Sequence, residues 1–188
     1  SEALIELVAE SGHETDDTPF IKSVTEKAAK ITEIFEQCLE SGRISIHDLF
    51  DENYVDIPGT DPVQKMTNFV SLTDALLPEI QEAVYAEDPL IIFCVAVDRN
   101  GFLPTHNIRF SEPQRPGEPE WNAGNSRNRR IFDDRTGIAA AKNTKPFLLQ
   151  TYRRDMGGGA YATMKDLSAP IYIQGRHWGG LRMGYKAP

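Results

Sequence analysis

The apolar residues of this chain change their spacing once, near residue 90, and that change confines the chain to a mixed α+β fold. Ahead of it, Ile21, Val24, Ala28, Ile31, Phe35 and Cys38 recur at alternating intervals of three and four. Such spacing lays one narrow apolar seam along a long helix. Beyond it, the eight apolar residues 90–97 follow one another without a break, as in a strand buried on both faces. Eight residues are too few to cross a bilayer as a helix.

Local signals divide the first ninety residues into helices. Leu4, Leu7 and Val8 make a short apolar stripe. Thr18 is the expected cap of the long helix and Pro19 its first residue, where a missing N–H costs nothing; Ser41-Gly42 closes it. A second long helix is expected from Asp61-Pro62, where Gln64 completes a capping-box pattern. Its buried face would be Val63, Met66, Val70, Leu77, Ile80 and Val84, kinked by Pro78 and ended at Asp88-Pro89.

From residue 90 the signals are those of strands. Asp98-Arg-Asn-Gly101 predicts a hairpin turn, with residues 102–106 returning beside 90–97. Residues 111–126, rich in Pro, Gly, Asn and Ser, read as a long loop, and 133–143 as a short helix. Strands are expected at 147–154, 161–173 (bent near Pro170) and 178–185. The expectation is one domain over 1–188, with a helical layer at 1–89 and a sheet layer at 90–188. It would hold about five antiparallel strands, long amino-terminal helices and one inserted helix. PAS and Cache sensor domains have this order, with a small-molecule pocket between sheet and inserted helix.

Charge follows the same division. Residues 1–90 hold 20 acidic and 5 basic side chains, net −15, whereas residues 91–188 hold 8 and 15, net +7. An acidic helical layer packed on a basic sheet layer accounts for this. With an overall pI near 5.0, no nucleic-acid partner is expected, because phosphate binding needs a basic face. Cys38 and Cys94 have neither Cys-x-x-Cys nor Cys/His spacing, so neither a disulfide framework nor zinc is indicated. No signal peptide is read at the start, and no membrane contact is expected of this domain.

Four stretches carry more than topology: Asp98-Arg-Asn-Gly-Phe-Leu-Pro-Thr-His-Asn107, Asn128-Arg-Arg-Ile-Phe-Asp-Asp-Arg-Thr-Gly137, Pro146-Phe-Leu-Leu-Gln-Thr-Tyr-Arg-Arg-Asp155 and Gly175-Arg-His-Trp-Gly-Gly-Leu-Arg182. With Glu10-Ser-Gly-His-Glu-Thr15 and Asp17-Thr-Pro-Phe20, they resemble a module of bacterial methyl-accepting chemotaxis proteins over most of the chain. The resemblance implies a Cache/PAS-like sensory domain in chemotaxis signal transduction. It implies a cytoplasmic placement, with a periplasmic one as the alternative. No methyl-accepting hairpin or HAMP-like linker is present, so the chemotaxis kinase and adaptor would be met only through receptor regions absent here.

Arginine clustering is the main chemical signal. Arg127, Arg129, Arg130, Arg135, Arg153 and Arg154 lie on two segments that such a fold brings together, and guanidinium forks hold carboxylates or phosphates by two bonds. In a strand, Tyr152 and Arg154 share one face and Arg153 takes the other. The expected ligand is a small anion met by Arg135 and by Arg153 or Arg154, with Tyr152, His106 and Asn107 orienting it. Arg130, Asp133, Trp121, Lys165 and His177 complete the candidate set. The plainer reading is that Asp133, Asp134, Asp155 and the acidic helices neutralise these arginines. No cofactor is expected. Haem or a metal on His106 and His177 is a minor alternative without a supporting acidic or histidine spacing. No nucleophile elbow or phosphate-binding glycine loop is found, and Asp133 and Asp134 diverge on a helix, so no enzyme is expected. The competing reading is a ligand-free interaction module that forms a homodimer through the seam of helix 20–40.

Overall fold

The computed structural model of the protein describes residues 3–5 and 15–188. In chain order its elements are β1 (Ala3–Ile5), α1 (Thr18–Glu40), α2 (Ile46–Leu49), β2 (Val55–Asp56), β3 (Lys65–Met66), α3 (Val70–Leu76), α4 (Pro78–Glu82), β4 (Ile91–Asp98), β5 (Phe102–Leu103), α5 (Pro119–Asn125), β6 (Arg130–Ile131), α6 (Arg135–Lys142), β7 (Leu148–Gly157), β8 (Ala160–Ile173) and β9 (Arg176–Lys186). The fold is α+β and its main sheet is antiparallel. Four long strands, in the order β7-β8-β9-β4, carry it, and the three-residue β1 pairs with β7 at the edge.

Helix α1 forms where the seam predicts it and lies across β8 and β9. Phe20, Val24, Ala28, Ile31, Phe35 and Cys38 are buried; Phe20 takes the place expected for Ile21. The cap falls at Asp17, not Thr18, and the Asp17 carboxylate is used elsewhere. It accepts from Lys165 Nζ at 2.7 Å and from the Tyr185 hydroxyl at 2.8 Å, tying the helix start to the sheet. Phe20 stacks on the Tyr185 ring at 4.0 Å, and Phe35 meets Trp178 edge-on at 5.2 Å.

Further expectations are corrected. The second long helix does not begin at Asp61. The Gln64 amide donates to Thr60 Oγ1 and the Lys65 amide to the Arg129 carbonyl, so this stretch is held as an extended segment with β2 and the 126–130 loop. Helix begins only at Val70 and breaks into α3 and α4 at Pro78, the expected point. Leu4 lies in a strand, not a helix, and Leu7 and Val8 fall outside the described residues.

The Asn-Gly turn forms, but Phe102 and Leu103 leave the main sheet and pair with Ile131 and Arg130. The predicted fifth strand therefore belongs to a separate ribbon. The open edge of β4 is closed by side chains instead. Asn107 Oδ1 accepts from the Cys94 amide at 2.8 Å, and Gln81 Oε1 accepts from the Ala96 amide at 2.9 Å. Paired amides of this kind prevent β4 from recruiting another strand. Strand β8 continues through Pro170, which lies beyond Leu148, where pairing with β7 begins, and its register with β9 shifts just after it, between Ile171 and Tyr172.

Candidate functional site

Register decides what each sheet face displays. The face under α1 carries Leu149, Leu167, Ala169, Ile171, Leu181, Met183 and Tyr185, which join the α1 seam in one apolar core. Cross-strand partners on the other face are Gln150, Asp166 and Gly184; Leu148, Ser168, Arg182 and Val95; and Tyr152 and Met164. Helix α6 covers only part of this second face, over β8 and β9. Beside the start of α6 a cavity of about 510 Å³ remains. Its floor holds Phe93, Tyr152 and Arg182, and its walls are Leu103, His106, Arg127, Ile131, Phe132, Asp133, Asp134 and Thr136. Binding cavities for small molecules commonly have this size and this mixture of apolar walls and few polar groups.

The polar groups are five residues with N–H or O–H donors, some of them unused, and the two carboxylates of Asp133 and Asp134. Arg127 gives one bond, Nη1 to the Ala123 carbonyl at 3.1 Å, and rests over the Phe132 ring at 5.0 Å. Among the described residues it joins no ion pair. Burial, then the charge of Arg182, pulls its pKa below the ordinary arginine value, against a smaller opposing effect of Tyr152 and Asp134. Thr136 Oγ1 is buried with no hydrogen-bond partner. The Tyr152 hydroxyl has no partner among the described residues.

His106 is 6% exposed, and its Nδ1 accepts from the Asn107 amide at 2.8 Å. Nε2 must then carry the ring proton, and it has no partner among the described residues. Burial, followed by the nearby charges of Arg127 and Arg182, pushes the imidazole pKa down to about 3. The ring is therefore a neutral donor at neutral pH, packed against Phe93 and Phe110.

Arg182 differs from Arg127 because it is neutralised. Nε and Nη2 both donate to the Asp166 carboxylate, at 3.2 and 2.8 Å, and Asp166 is fully buried. Burial works to lower the arginine pKa, but the carboxylate charge and its hydrogen bonds outweigh it and raise the value. The remaining amine, Nη1, has no hydrogen bond among the described residues. Phe93 lies flat above Gly184, where an added Cβ would stand 2.1 Å from the ring. A side chain at 184 would thus push Phe93 into the cavity.

The roof is fixed from behind. The Phe132 amide donates to the Gly101 carbonyl at 2.8 Å, and a Cβ at Gly101 would meet the Phe132 carbonyl at 2.4 Å. Gly101 also has φ +83°, so glycine is needed there twice over. Arg129 holds the same segment to α3 through Asp74 at 2.6 Å.

Of the candidate residues, the cavity gathers Tyr152, His106 and Asp133, and Arg127 from the arginine cluster. Arg135 begins α6 and is exposed, outside the lining. Arg154 shares the face of Tyr152 but is exposed, and Arg153 lies on the other face with its guanidinium 5.7 Å from the Tyr161 ring. Arg130 stacks on Phe132 and donates to the Ala123 carbonyl at 2.9 Å; burial, then Arg127, lowers its pKa to about 10. Asn107 is fully used: besides Cys94, it donates to the Gln81 carbonyl and to Glu82. Lys165 serves Asp17 on the opposite face. Trp121 stacks with Arg115 at 3.6 Å, and His177 packs on Tyr172, both outside the cavity.

Arg182, Phe93, Phe132 and Thr136 were not among the candidates. One signal for the first was available: Asp166 and Arg182 are opposite charges within otherwise apolar strands, a pattern that predicts a buried pair. Among the described residues no group of three or more His, Cys, Asp and Glu side chains could hold a metal. No described helix is long and apolar enough to cross a membrane. No protein-family model and no curated protein matches the chain.

Proposed function

We propose that the chain is a ligand-binding sensory domain that takes a small organic anion into the cavity between the sheet and the start of α6. The observation that carries this reading is the convergence of Arg127, Arg182, His106 and Tyr152 on one cavity, where Arg182 Nη1, His106 Nε2 and the Tyr152 hydroxyl have no hydrogen-bond partner among the described residues and the Asp133 and Asp134 carboxylates stand on the exposed side. Buried donors are normally paired, and a set left open around a cavity is suited to an acceptor from solution. No nucleophile with an adjacent base lines the cavity, so binding rather than turnover fits its chemistry.

The resemblance to chemoreceptor modules supports the biological setting, a Cache/PAS-like domain of a bacterial chemoreceptor in the cytoplasm. An anion held between Arg127 and Arg182 would draw the 127–134 segment toward the sheet whose other face carries α1. Ligand control of α1 then requires different affinities for two arrangements of that segment. The dimer alternative is less well supported, because the α1 seam is buried in its own core.

A thermal-unfolding screen against small carboxylates, phosphates, purines and amino acids tests the reading. A ligand at about 100 times its dissociation constant adds about 2.7 kcal/mol, roughly 5–10 °C for a domain of this size. The shift should vanish in Arg127→Ala. A panel without any shift would overturn the proposal.

A further inference from the structure

We infer that the cavity selects an organic anion of a single negative charge with an apolar body, and discriminates against a second negative charge. This rests on the anion-binding reading and names its ligand class. The inference comes from which cavity charges are already balanced. Arg182 is matched by Asp166 directly behind it, so the pair presents hydrogen-bond donors but almost no net charge. His106 is a neutral donor, since Nδ1 accepts from the Asn107 amide. That leaves Arg127 as the one lining cation without an ion pair among the described residues. A half-buried guanidinium that makes no ion pair is best met by one opposite charge.

Asp133 and Asp134 also line the cavity, on its exposed side at the start of α6. Asp134 caps the helix by position but makes no side-chain cap bond, so its carboxylate stays available to the cavity field. A ligand whose first carboxylate reaches Arg127 would bring a second one toward these two aspartates, where like charges repel. The remaining walls, Phe93, Leu103, Ile131 and Phe132, are apolar, and about 510 Å³ far exceeds what a bare carboxylate fills. The ligand therefore needs an apolar body to displace water from them.

Calorimetric titration of the 188-residue chain at about pH 8, where both carboxylates of a malonate are ionised, tests this with matched probes. The pairs are 3-phenylpropanoate with benzylmalonate and butanoate with ethylmalonate; 3-phenylpropanamide is the neutral control. The monoanions should bind about tenfold or more tightly than their dianions, and the amide should show no saturable binding. In Asp133→Asn/Asp134→Asn the preference should shrink at least about threefold. Asparagine is itself a good cap, so this variant keeps α6, and far-ultraviolet circular dichroism checks that it does. Dianions binding as tightly as monoanions would overturn the inference and leave the anion-binding reading standing. An unchanged preference in the aspartate variant would remove the rim as its cause and overturn it too. Failure of every acid to bind would overturn both.

Discussion

The two faces of one sheet were built for different ends. Under α1, apolar side chains from β7, β8, β9 and β4 meet a single seam, and Val24, Ile31, Phe35, Leu167, Ile171 and Met183 are completely buried. On the opposite face, the same strands carry Gln150, Tyr152, Asp166, Ser168 and Arg182, and α6 leaves part of them uncovered. Ser168 Oγ and Thr136 Oγ1 are buried there without partners, and Thr151 Oγ1 is likewise unpartnered on the α1 face, near its β1 edge. A domain needs one face to hold it together and can leave the other under-satisfied. Sites for ligands are expected on the face where local polar rules are broken.

Phe35→Ala should cut deepest, because Phe35 is fully buried against Trp178; about 3–5 kcal/mol of stability should be lost in urea denaturation. Ligand affinity per folded molecule should stay as it was, and a selective loss of affinity would break the division between faces. Arg182→Ala should cost about 3 kcal/mol or more, by stranding a fully buried Asp166. Replacing both, as Arg182→Met/Asp166→Leu, should recover most of that stability but not ligand binding. Failure of the double variant to recover stability would show that the pair is structural in some further way.

His106 should make the cavity face acid-sensitive. Its folded pKa, about 3, lies below the ordinary value of 6.5, so the unfolded chain takes up a proton that the folded chain refuses. This contribution to stability is complete above pH 6.5 and is lost as pH falls toward about 3, by up to roughly 1.4 kcal/mol per pH unit. His106→Gln should flatten that part of the profile relative to the parent chain; an unchanged difference between pH 7 and pH 4 would contradict it. The smallest effect belongs to Thr136→Val. It removes an unpaired buried hydroxyl, so stability should hold within about 0.5 kcal/mol or rise. A clear loss of stability would mean the hydroxyl has a structural partner in solution.

The dry face was much the easier to read. The α1 seam is contiguous, so spacing alone located it, with Phe20 substituted for Ile21. Extended segments with long-range partners carry no such contiguous signal. Asp61 and Gln64 fit a capping box, yet the Gln64 side chain reaches Asn128, 64 residues away, and no local pattern reports that contact. Likewise Phe102 and Leu103 satisfy the hairpin pattern but find Ile131 and Arg130. Within the site, alternation correctly paired Tyr152 with Arg154 on one face, and the pocket lies beside the inserted helix. What alternation could not supply was depth along the strand: Tyr152 reaches the cavity, and Arg154, two residues on, is out in solvent. Asn107 shows the converse, a polar residue beside His106 that serves as an edge cap and has no bond left to give.

The most direct measurement is calorimetric titration of 3-phenylpropanoate into the parent chain and into Arg127→Ala, each with its urea midpoint recorded without ligand. The Arg127 side chain makes one hydrogen bond to a backbone carbonyl and no ion pair among the described residues, so the unfolding free energies of the two proteins should agree within about 1 kcal/mol. Binding should be saturable in the parent chain and lost in the variant. Equal affinity in both proteins, at equal stability, would contradict the assignment of this face to ligand binding.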